Sequence, residues 1–568
     1  KDTNRNRKWR RIRRIYKILR SRIYSLISTF KSAEPILLNP LGTGSFQQRH
    51  RYQQKLQMQQ KLRRIAFSGF VLSSLCLIIV LSIFFFFGWL LSSAERVLEV
   101  VRQLEGGDRA FHRDHKTEFR RGAVKDAFVH AWTGYEIHAF GHDEIRPTSN
   151  ITNDSWGGWG VTIVDSLDTI IIMDLKHLLP RCEDHVSKIN FVSEKFISVF
   201  ETSIRYLGGL ISAYDLSGNI LYLNKAKELS KLMLPAFDSE SGLPFHEIIT
   251  KTGVAGNAAW MQGASILSEV GSVQLEFKRL ARLTNDKELY QKMSDQIILL
   301  RDQQLKAKGL PKGLYPVKIK IENGAFDVSS KVTIGGLGDS FYEYLLKQHL
   351  MDPTETVFLK MYLESVDAMI ENLSFTFNGN HTFITEYQNN KQQYLFEHLT
   401  CFAPGMIALG TKHVKNNDLY PKEKRTSHLV FADNVLSTCV MLYDVQPSGI
   451  AADTVKFEDG SLEFTNSAYY LRPETIESLF YFFRITGDDK YREAGWRIFE
   501  NIVKYCRTDS SFSGLKDVTK KPFEKNNSMQ SFFFAETLKY LYLLFSGPDV
   551  IPLDKYVFNT EGHPFLLK

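Results

Sequence analysis

From about residue 116 to its end, the chain repeats segments of about 12 to 20 residues whose apolar positions have helical spacing. No stretch between them is long enough to act as a domain linker. Strand signals are few and short, and those at 315–326 and 374–384 predict hairpins. Short connections favour antiparallel helix pairs, so the sequence predicts one large all-α domain with β-hairpin insertions. Pairs repeated around a ring would form an α/α barrel, but periodicity alone does not count them.

The composition can support a domain of this size. Apolar residues make up 43% of the 568 residues and aromatic residues 13%, so a large core can form. The helices are predicted at residues 118–138, 162–177, 199–217, 259–283, 286–305, 336–350, 353–371, 425–443, 473–486, 489–506 and 528–545.

Charge is distributed unevenly along the chain. Residues 1–64 contain 18 Lys and Arg but only 2 Asp and Glu, a net charge of +16. Because the whole chain has a net charge of +8, the remaining residues carry −8. A basic segment joined to an acidic body is typical of proteins that bind nucleic acid or a membrane.

The next segment decides in favour of a membrane. Residues 66–92 are uncharged, apolar and long enough to cross a bilayer of about 30 Å, and Arg63 and Arg64 precede them. The positive-inside rule then predicts a type II single-pass protein. The membrane accounts for the basic segment, so no nucleic-acid partner is expected. The length of the basic segment argues against a cleaved signal peptide. The predicted organisation is a basic cytosolic tail at 1–65, a transmembrane signal anchor at 66–92, a stem at 93–115 and a lumenal domain at 116–568.

Sequons and cysteines agree with a lumenal body. Of five Cys, only Cys76 lies in the apolar segment; the others follow it, where disulfides persist. No Cys-x-x-Cys pair is present, which argues against a zinc site. All Asn-x-Ser/Thr sequons also follow the apolar segment, although such triplets arise by chance as well: Asn150, Asn153, Asn372, Asn380 and Asn526.

One predicted helix carries two carboxylates among apolar residues. It begins at Pro473 and ends before Gly487, and its centre is the run Leu-Phe-Tyr-Phe-Phe. Glu474 and Glu477 are three residues apart and therefore lie on one face. Burying two like charges together is costly unless they are paired, hydrated or linked to a metal, so the pair marks a candidate site.

Carboxylates recur in other apolar segments, each with an ordinary structural explanation. Glu201 could form an ion pair with Arg205, and Glu536 could pair with Lys539. Asp339 could serve only as a helix N-cap. The recurring acids are Glu201, Glu269, Glu276, Asp339, Glu536 and Glu561.

Taken together, these acids indicate a shared cavity, because acids at the starts of inward-pointing helices converge. A cavity rich in carboxylates and aromatic rings is typical of glycoside hydrolysis, in which carboxylates act as general acid and base and rings pack against sugars. Oxygen-rich sites also suit Ca²⁺. The chain contains no P-loop, no Gly-x-Ser-x-Gly elbow and no His-Glu-x-x-His motif.

Several motifs resemble those of the class I α-1,2-mannosidases, glycoside hydrolase family 47, and occur in the same order. They are FVHAWTGYEIHAFGHDEIRP at 128–147, GVTIVDSLDTIIIMDL at 160–175, the segment around Glu201, GLGDSFYEYLLK at 336–347, RPETIESLFY at 472–481, FFFAETLKYLYLLFS at 532–546 and VFNTEGHPF at 557–565. The resemblance implies an (α/α)7 barrel plugged by a C-terminal hairpin. It also implies removal of terminal α-1,2-linked mannose from high-mannose N-glycans, with inversion and with Ca²⁺.

The resemblance gives roles to individual residues. Glu201 resembles the general acid, acting through a water; Glu474 resembles the general base, and Asp339 the third essential acid. Inverting enzymes hold their carboxylates about 6.5–9.5 Å apart, which leaves room for the attacking water. The residues that resemble sugar-contacting positions are Arg205, Glu269, Leu337, His398, Arg472 and Phe532, the last of which would lie under the terminal mannose.

The resemblance also implies a Ca²⁺ site. Thr560 resembles the only direct protein ligand, through its backbone carbonyl and its hydroxyl. Waters and sugar hydroxyls would complete the coordination. Glu477, Glu536 and Glu561 resemble the shell around those waters.

Two of the lumenal cysteines resemble a structural disulfide of the family. They are Cys401, in the motif HLTC, and Cys439. The resemblance assigns no partner to Cys182 or Cys506.

One position bears on specificity and compartment. Endoplasmic-reticulum members of the family typically carry Arg two positions before the residue that corresponds to Asp339, and this chain has Leu337. An Arg there would restrict glycan branches through hydrogen bonds, whereas Leu leaves room. The chain therefore resembles Golgi-type enzymes that trim Man9GlcNAc2 towards Man5GlcNAc2 in the Golgi membrane. The sequence at 402–405 is less Golgi-like, so the endoplasmic-reticulum membrane is the alternative.

Two other functions remain open. One is a degradation-enhancing mannosidase-like protein, although the close match at 532–546 argues against it. The other is an inactive mannose-binding lectin of quality control, which would be expected to lose one of Glu201, Asp339 and Glu474. All three are present, which favours a hydrolase. The sequence leaves the oligomeric state open.

Overall fold

The computed structural model describes residues 57, 58, 61, 114–414, 417–458 and 460–567. Contacts divide the chain into two units, 1–98 and 99–568, and the fold below is that of the second. The predicted anchor at 66–92 lies outside the described residues, as does nearly all of the predicted tail and stem. Among the described residues, no helix is long and apolar enough to span a membrane.

Helices form most of the second unit. They are α1 (His115–His138), α2 (Val161–Ile172), α3 (Leu179–Lys188), α4 (199–217), α5 (Ile220–Met233), α6 (Leu267–Gly271), α7 (Gln274–Thr284), α8 (Lys287–Lys306), α9 (Asp339–Met351), α10 (Thr356–Ala368), α11 (Ala403–His413), α12 (Lys422–Asp444), α13 (Glu474–Thr486), α14 (Asp489–Cys506) and α15 (533–544). Three π-helical turns interrupt or extend them: Thr202–Leu207 within α4, Met369–Leu373 after α10 and Phe533–Thr537 at the start of α15.

Seven of these helices form an unbroken series of contacts. α2 contacts α4, and the series continues through α7, α9, α11 and α13 to α15, whose π-helical turn contacts α2 again. Most of the other helices pack against a member of this series that is next to them in sequence, such as α8 on α7 and α12 on α11. The prediction of a mostly helical domain is therefore confirmed.

Local signals explain where helices begin and end. α13 starts directly after Pro473 and ends at Gly487, whose φ of 68° is the left-handed conformation that glycine adopts at helix ends. α1 is capped by Asp114, whose side chain accepts the Thr117 N–H at 2.7 Å. A proline or a polar cap thus marks the start of each of these helices, and a glycine marks the end of α13.

Three helices were not predicted, and one predicted helix is broken. Those missed are α3, α5 and α11, although α3 and α11 carry a proline in their first turn, a position that suits a helix start. The segment predicted as one helix at 259–283 contains a 3₁₀ turn, a strand and two separate helices. The strand pairs elsewhere in the chain, so tertiary contacts override the local spacing.

The strands form small antiparallel sheets. They are β1 (Glu144–Arg146), β2 (Ile151–Asn153), β3 (Ile197–Ser198), β4 (Glu247–Ile249), β5 (Val254–Gly256), β6 (Ala264–Ile266), β7 (Lys318–Lys320), β8 (Ser374–Phe377), β9 (His381–Ile384), β10 (Glu386–Gln388), β11 (Lys391–Gln393), β12 (Leu395–Glu397), β13 (Thr454–Glu458), β14 (Ser461–Asn466), β15 (Tyr556–Phe558) and β16 (Pro564–Leu566). The hairpin predicted at 374–384 is confirmed as β8–β9. The chain also turns back on itself within 315–326, where Ile319 forms an antiparallel bridge with Phe326, and β7 pairs in addition with the distant β6.

The C-terminal hairpin β15–β16 is held by buried charges. His563 lies in the turn between β15 and β16, where it contacts Asp165 at 2.9 Å and Asp168 at 2.8 Å, both on α2. Lys539 of α15 donates to Asp168 at 2.8 Å and to the Gly562 carbonyl at 2.6 Å. Burial would raise the pKa of Asp168, but Lys539 and His563 lower it to about 2. These charges are therefore compensated within the fold.

This cluster makes a prediction about stability. We expect Lys539→Met to lower the free energy of unfolding by about 3–5 kcal/mol, because Asp168 would stay buried without its lysine. Lys188→Met is the control, since its pair with Asp184 is exposed and should contribute little. The measurement is the midpoint of urea unfolding, and equal midpoints for the two variants would contradict the assignment.

Candidate active site

One cavity of about 500 Å³ gathers side chains from several helix starts and from the turn of the C-terminal hairpin. Of the predicted catalytic, sugar-contacting and metal-site residues, all but His398 line it. Those residues are Glu201, Arg205, Glu269, Leu337, Asp339, Arg472, Glu474, Glu477, Phe532, Glu536, Thr560 and Glu561. The structure therefore brings together residues that lie up to 360 positions apart in the sequence.

Glu201 and Arg205 lie at the start of α4, where the helix changes to π-helical winding. The Arg205 Nε donates to Glu201 at 2.7 Å, so the predicted i, i+4 pair is confirmed. The same guanidinium donates to Glu561 and, at 3.1 Å, to Ser531. Arg205 is buried whereas Glu201 is half-buried, so this arginine joins the cavity wall to the C-terminal turn. The pair is at once structural and part of the cavity.

Glu474 is surrounded by groups that favour its ionised form. His398 Nδ1 lies 2.8 Å from its carboxylate, and Arg472 Nη1 lies 3.8 Å away. Burial would raise the pKa of Glu474, but the hydrogen bond with His398 and the charge of Arg472 hold it below its usual value. His398 lies behind Glu474, with Nε2 2.8 Å from the Tyr443 hydroxyl, and is not among the residues that line the cavity.

Asp339 is in the opposite situation. It is the first residue of α9 and not its N-cap, which is Gly338, and its carboxylate accepts the Ser340 N–H at 2.8 Å. Burial raises the pKa of Asp339 to about 7; the Ser340 N–H opposes this rise, and the charges of Glu397, Glu343 and Glu474 add to it. The surroundings of Glu474 thus favour its ionised form, whereas those of Asp339 favour its protonated form.

Three further carboxylates, all buried, lie deep in the cavity. Burial and nearby acids raise the pKa of Glu477, Glu536 and Glu561 well above the usual range, although Arg205 opposes the shift of Glu561. The pairing of Glu536 with Lys539 that the sequence allowed is wrong, because the lysine contacts Asp168. Arg205 and Lys347 therefore balance the negative charge of these acids only in part.

Thr560 lies beside these acids in the turn of β15–β16. Its backbone N–H donates to the Tyr344 hydroxyl at 3.3 Å, and that hydroxyl donates to Glu276 at 2.6 Å. Asn559 also donates to Glu276, at 2.8 Å, and burial raises the pKa of Glu276 to about 7. Glu276, one of the acids that the sequence singles out, therefore lies beneath the Thr560 turn and holds it in place.

The expected Ca²⁺ site depends on which donor groups lie around the cavity. Within residues 114–414, 417–458 and 460–567, no group of three or more His, Cys, Asp and Glu side chains is arranged to hold a metal ion. Thr560, whose carbonyl and hydroxyl are oxygen donors, nonetheless lines the cavity together with the buried Glu477, Glu536 and Glu561. Oxygen donors of this kind are those that Ca²⁺ prefers.

Leu337 and Glu269 form part of the cavity rim. Leu337 is exposed and has a φ of 79°, a left-handed conformation unusual for a residue with a side chain. Its carbonyl accepts the Ser268 N–H at 3.0 Å. Glu269 lies 2.7 Å from His246 Nδ1. Phe532 is buried in the wall, with its ring 5.9 Å from the Arg205 guanidinium.

Some cavity residues were not predicted. Glu343 lies one turn after Asp339 on α9, so i, i+4 spacing was a signal that could have found it. Tyr470 also lines the cavity, and its ring lies 5.5 Å from the Arg472 guanidinium. Gln530 has no comparable signal, because it lies in irregular chain before α15.

Two of the four described cysteines form a disulfide and two are free. Cys401 and Cys439 form a disulfide with a Cα–Cα distance of 6.0 Å, which confirms the predicted pair. It joins the turn after His398 to α12. Cys182 and Cys506 are free and buried.

Comparison with known proteins identifies the family of the chain. Residues 127–567 match glycosyl hydrolase family 47. The mannosyl-oligosaccharide 1,2-alpha-mannosidase MNS1 of Arabidopsis thaliana is 41% identical over 452 residues, 78% of each chain. Mannosyl-oligosaccharide 1,2-alpha-mannosidase IB of Homo sapiens is 39% identical over 475 residues, which cover 81% of this chain and 71% of the human protein.

A solved structure extends the comparison to the fold. The alpha-1,2-mannosidase from Trichoderma reesei superposes with a TM-score of 0.73 at 31% identity, over 79% of this chain and 99% of that one. The family match covers most of the chain and includes every residue of the cavity. This chain belongs to glycosyl hydrolase family 47.

Proposed function

We propose that the protein is an inverting exo-α-1,2-mannosidase that trims high-mannose N-glycans, from Man9GlcNAc2 towards Man5GlcNAc2. The observation that carries the proposal is the meeting of Glu201, Asp339 and Glu474 in one cavity of a family 47 chain. Carboxylates placed in this way can protonate a leaving group and activate a water.

Glu474 is proposed as the general base. Its hydrogen bond with His398 and the charge of Arg472 keep it ionised, the state in which it can take a proton from the attacking water. Asp453 accepts from Arg472 Nε at 2.6 Å and so orients that guanidinium. The base is therefore fixed by partners on both sides.

Glu201 is proposed as the general acid, acting through a water, and Asp339 as the third essential acid. Arg205 holds Glu201 at the cavity wall. Burial raises the pKa of Asp339 to about 7, so a substantial fraction of this acid carries a proton near neutral pH and can donate a hydrogen bond to substrate or water. The two environments push the acids of the cavity towards different protonation states, as acid–base chemistry requires.

We propose that Thr560 binds Ca²⁺ directly and that Glu477, Glu536 and Glu561 hold its water shell. The support is electrostatic: Glu561 pairs with Arg205, but the ion pairs of the described residues include none with Glu477 or Glu536, and a divalent cation would supply the missing positive charge. When bound, Ca²⁺ would orient sugar hydroxyls and water. The network of Glu276, Tyr344 and Asn559 sets the position of the Thr560 turn.

We further propose that the domain is an (α/α)7 barrel. The support is the closed series of contacts through α2, α4, α7, α9, α11, α13 and α15. The outer ring would comprise α1, α3, α5, α8, α10, α12 and α14. The hairpin β15–β16 would plug one end, since its turn contacts α2, α9 and α15.

For the whole chain we propose the type II organisation: tail 1–65, anchor 66–92, stem 93–115 and lumenal catalytic domain 116–568. The basic tail before an uncharged segment supports it. The disulfide suits an oxidising compartment of the secretory pathway. The small, exposed Leu337 at the cavity rim favours a Golgi-type enzyme over one of the endoplasmic reticulum.

The three acids make the first kinetic prediction. We expect Glu474→Gln to lower kcat by about 10²–10⁴-fold, because an amide can keep the contact with His398 but cannot act as a base. Glu201→Gln and Asp339→Asn should be comparably impaired. Glu463→Gln, exposed on β14, is the matched control and should retain full activity. Steady-state kinetics on free glycan provide the measurement, and wild-type rates in Glu474→Gln would refute the assignment.

The second prediction concerns the product and the metal. The lumenal body, residues 93–568, should convert Man9GlcNAc2 to Man5GlcNAc2, lose this activity in EDTA and regain it with Ca²⁺. Mass and linkage analysis of the products is the measurement. A stop at Man8GlcNAc2 would contradict the Golgi-type proposal. No trimming by folded, Ca²⁺-loaded protein would overturn the hydrolase and favour a lectin.

The third prediction concerns topology. Asn380 is exposed in the β8–β9 turn, and a Cβ at the adjacent Gly379 would meet no atom within 4 Å, so a glycan has room there. In intact microsomes, we expect added protease to remove only residues before the anchor. We also expect Asn380→Gln to remove one N-glycan. Digestion of the body in intact vesicles would contradict the type II proposal.

A further inference from the structure

The turn that precedes Asp339 is held from outside the cavity by another carboxylate, that of Glu397. Glu397 ends β12, and its Oε2 accepts the Gly336 N–H at 2.6 Å. The turn closes on itself, because the Gly335 carbonyl accepts the N–H groups of Gly338 and Asp339 at 3.1 and 3.0 Å. Glu397 is not among the residues that line the cavity, so it acts through the turn.

Close packing makes this contact specific. A Cβ at Gly335 would lie 2.5 Å from the Glu397 carboxylate, and one at Gly336 would lie 3.2 Å from it. Leu337, between these glycines and Asp339, is held in a left-handed conformation at φ 79°. Backbone strain of this kind persists only where surrounding contacts fix it. Glu397 supplies one such contact and the Ser268 N–H another.

The charge of Glu397 is only partly balanced. Lys331 lies 3.7 Å from Glu397 but donates to Glu386 at 2.7 Å. Lys331 is thus shared, and its closer partner is the other carboxylate. Burial raises the pKa of Glu397, while the charge of Lys331 and the Gly336 N–H oppose that rise and favour its negatively charged form.

The other charged groups around Asp339 come from several elements. Glu343 lies on α9 itself, where Lys347 contacts it, and Glu474 faces Asp339 from α13. Arg472 is 3.8 Å from Glu474, and Lys331 also faces Asp339. Of the acids that raise the pKa of Asp339 by charge, Glu397 contributes most, after burial itself.

We propose that Glu397 is a positioning residue that fixes the turn before Asp339 and whose negative charge, next to that turn, favours the protonated form of Asp339. The inference deepens the proposed function and rests on the role given there to Asp339. No atom of Glu397 needs to touch the sugar. Its two effects, on geometry and on protonation, can be separated by two substitutions.

Glu397→Gln removes the charge but keeps an oxygen that can accept the Gly336 N–H. Removing a neighbouring negative charge favours the ionised carboxylate, so the pKa of Asp339 should fall. The limb of the kcat/KM–pH profile that belongs to Asp339 should move to lower pH by about 0.5 unit or more, as expected for one partly screened charge nearby. The substrate is Man9GlcNAc2, with saturating Ca²⁺ in every assay.

Two further variants complete the design. Glu386→Gln is the matched control: it removes the same charge from the other partner of Lys331, and its profile should move by less than half as much. Glu397→Asp keeps the charge but shortens the side chain, so kcat should fall while the limb stays in place. Thermal unfolding of each variant confirms that it is folded.

The outcomes separate the inference from the proposed function. An active Glu397→Gln enzyme with an unchanged pH profile would overturn the inference, as would an equal shift in Glu386→Gln. If the wild-type protein trims no mannose, the proposed function fails. Infrared difference titration then still measures the Asp339 carboxyl, identified by its loss in Asp339→Asn. The same titration midpoint in wild type and Glu397→Gln would again overturn the inference.

Discussion

The burial of like charges around one cavity is the constraint on which the rest of the structure depends. Below the cavity, acids are matched by cations: Lys539 and His563 hold Asp168 ionised, at a pKa of about 2. Inside the cavity, Glu477 and Glu536 have no comparable partners, and their pKa values rise well above the usual range. Burying the compensated acids costs less free energy than burying the uncompensated ones, and the excess negative charge of the latter supports the proposed cation site.

Differences in protonation within that cavity follow from position in the fold. Glu474 follows Pro473 and faces His398 and Arg472, which lower its pKa. Asp339 starts a helix too, but its neighbours are acids, and burial with their charge raises its pKa to about 7. A helix start favours a carboxylate in both cases. The partners contributed by distant segments, and not the local helix, decide which acid keeps its proton.

Much of this could be predicted from the sequence. Glu474 and Glu477 stand out because apolar helices do not usually bury two acids on one face. The position of His398 behind Glu474 could not be predicted, since it depends on how a 3₁₀ turn at 398–402 packs against α13. The break in the segment 259–283 was also missed, because β6 forms only when the distant β7 pairs with it. The local spacing of apolar residues predicts helices well, but it does not predict which distant strands pair.

The site also depends on the chain being folded to its last residues. His563 contacts Asp168 across 395 positions, and Arg205 contacts Glu561 across 356. Thr560 and Glu561 enter the cavity only when the hairpin β15–β16 has docked on α2 and α15. Contacts this distant in sequence close long loops, and the entropy that this costs must be offset by the rest of the core. The buried acids therefore meet one another only where the surrounding helices and the hairpin are packed together.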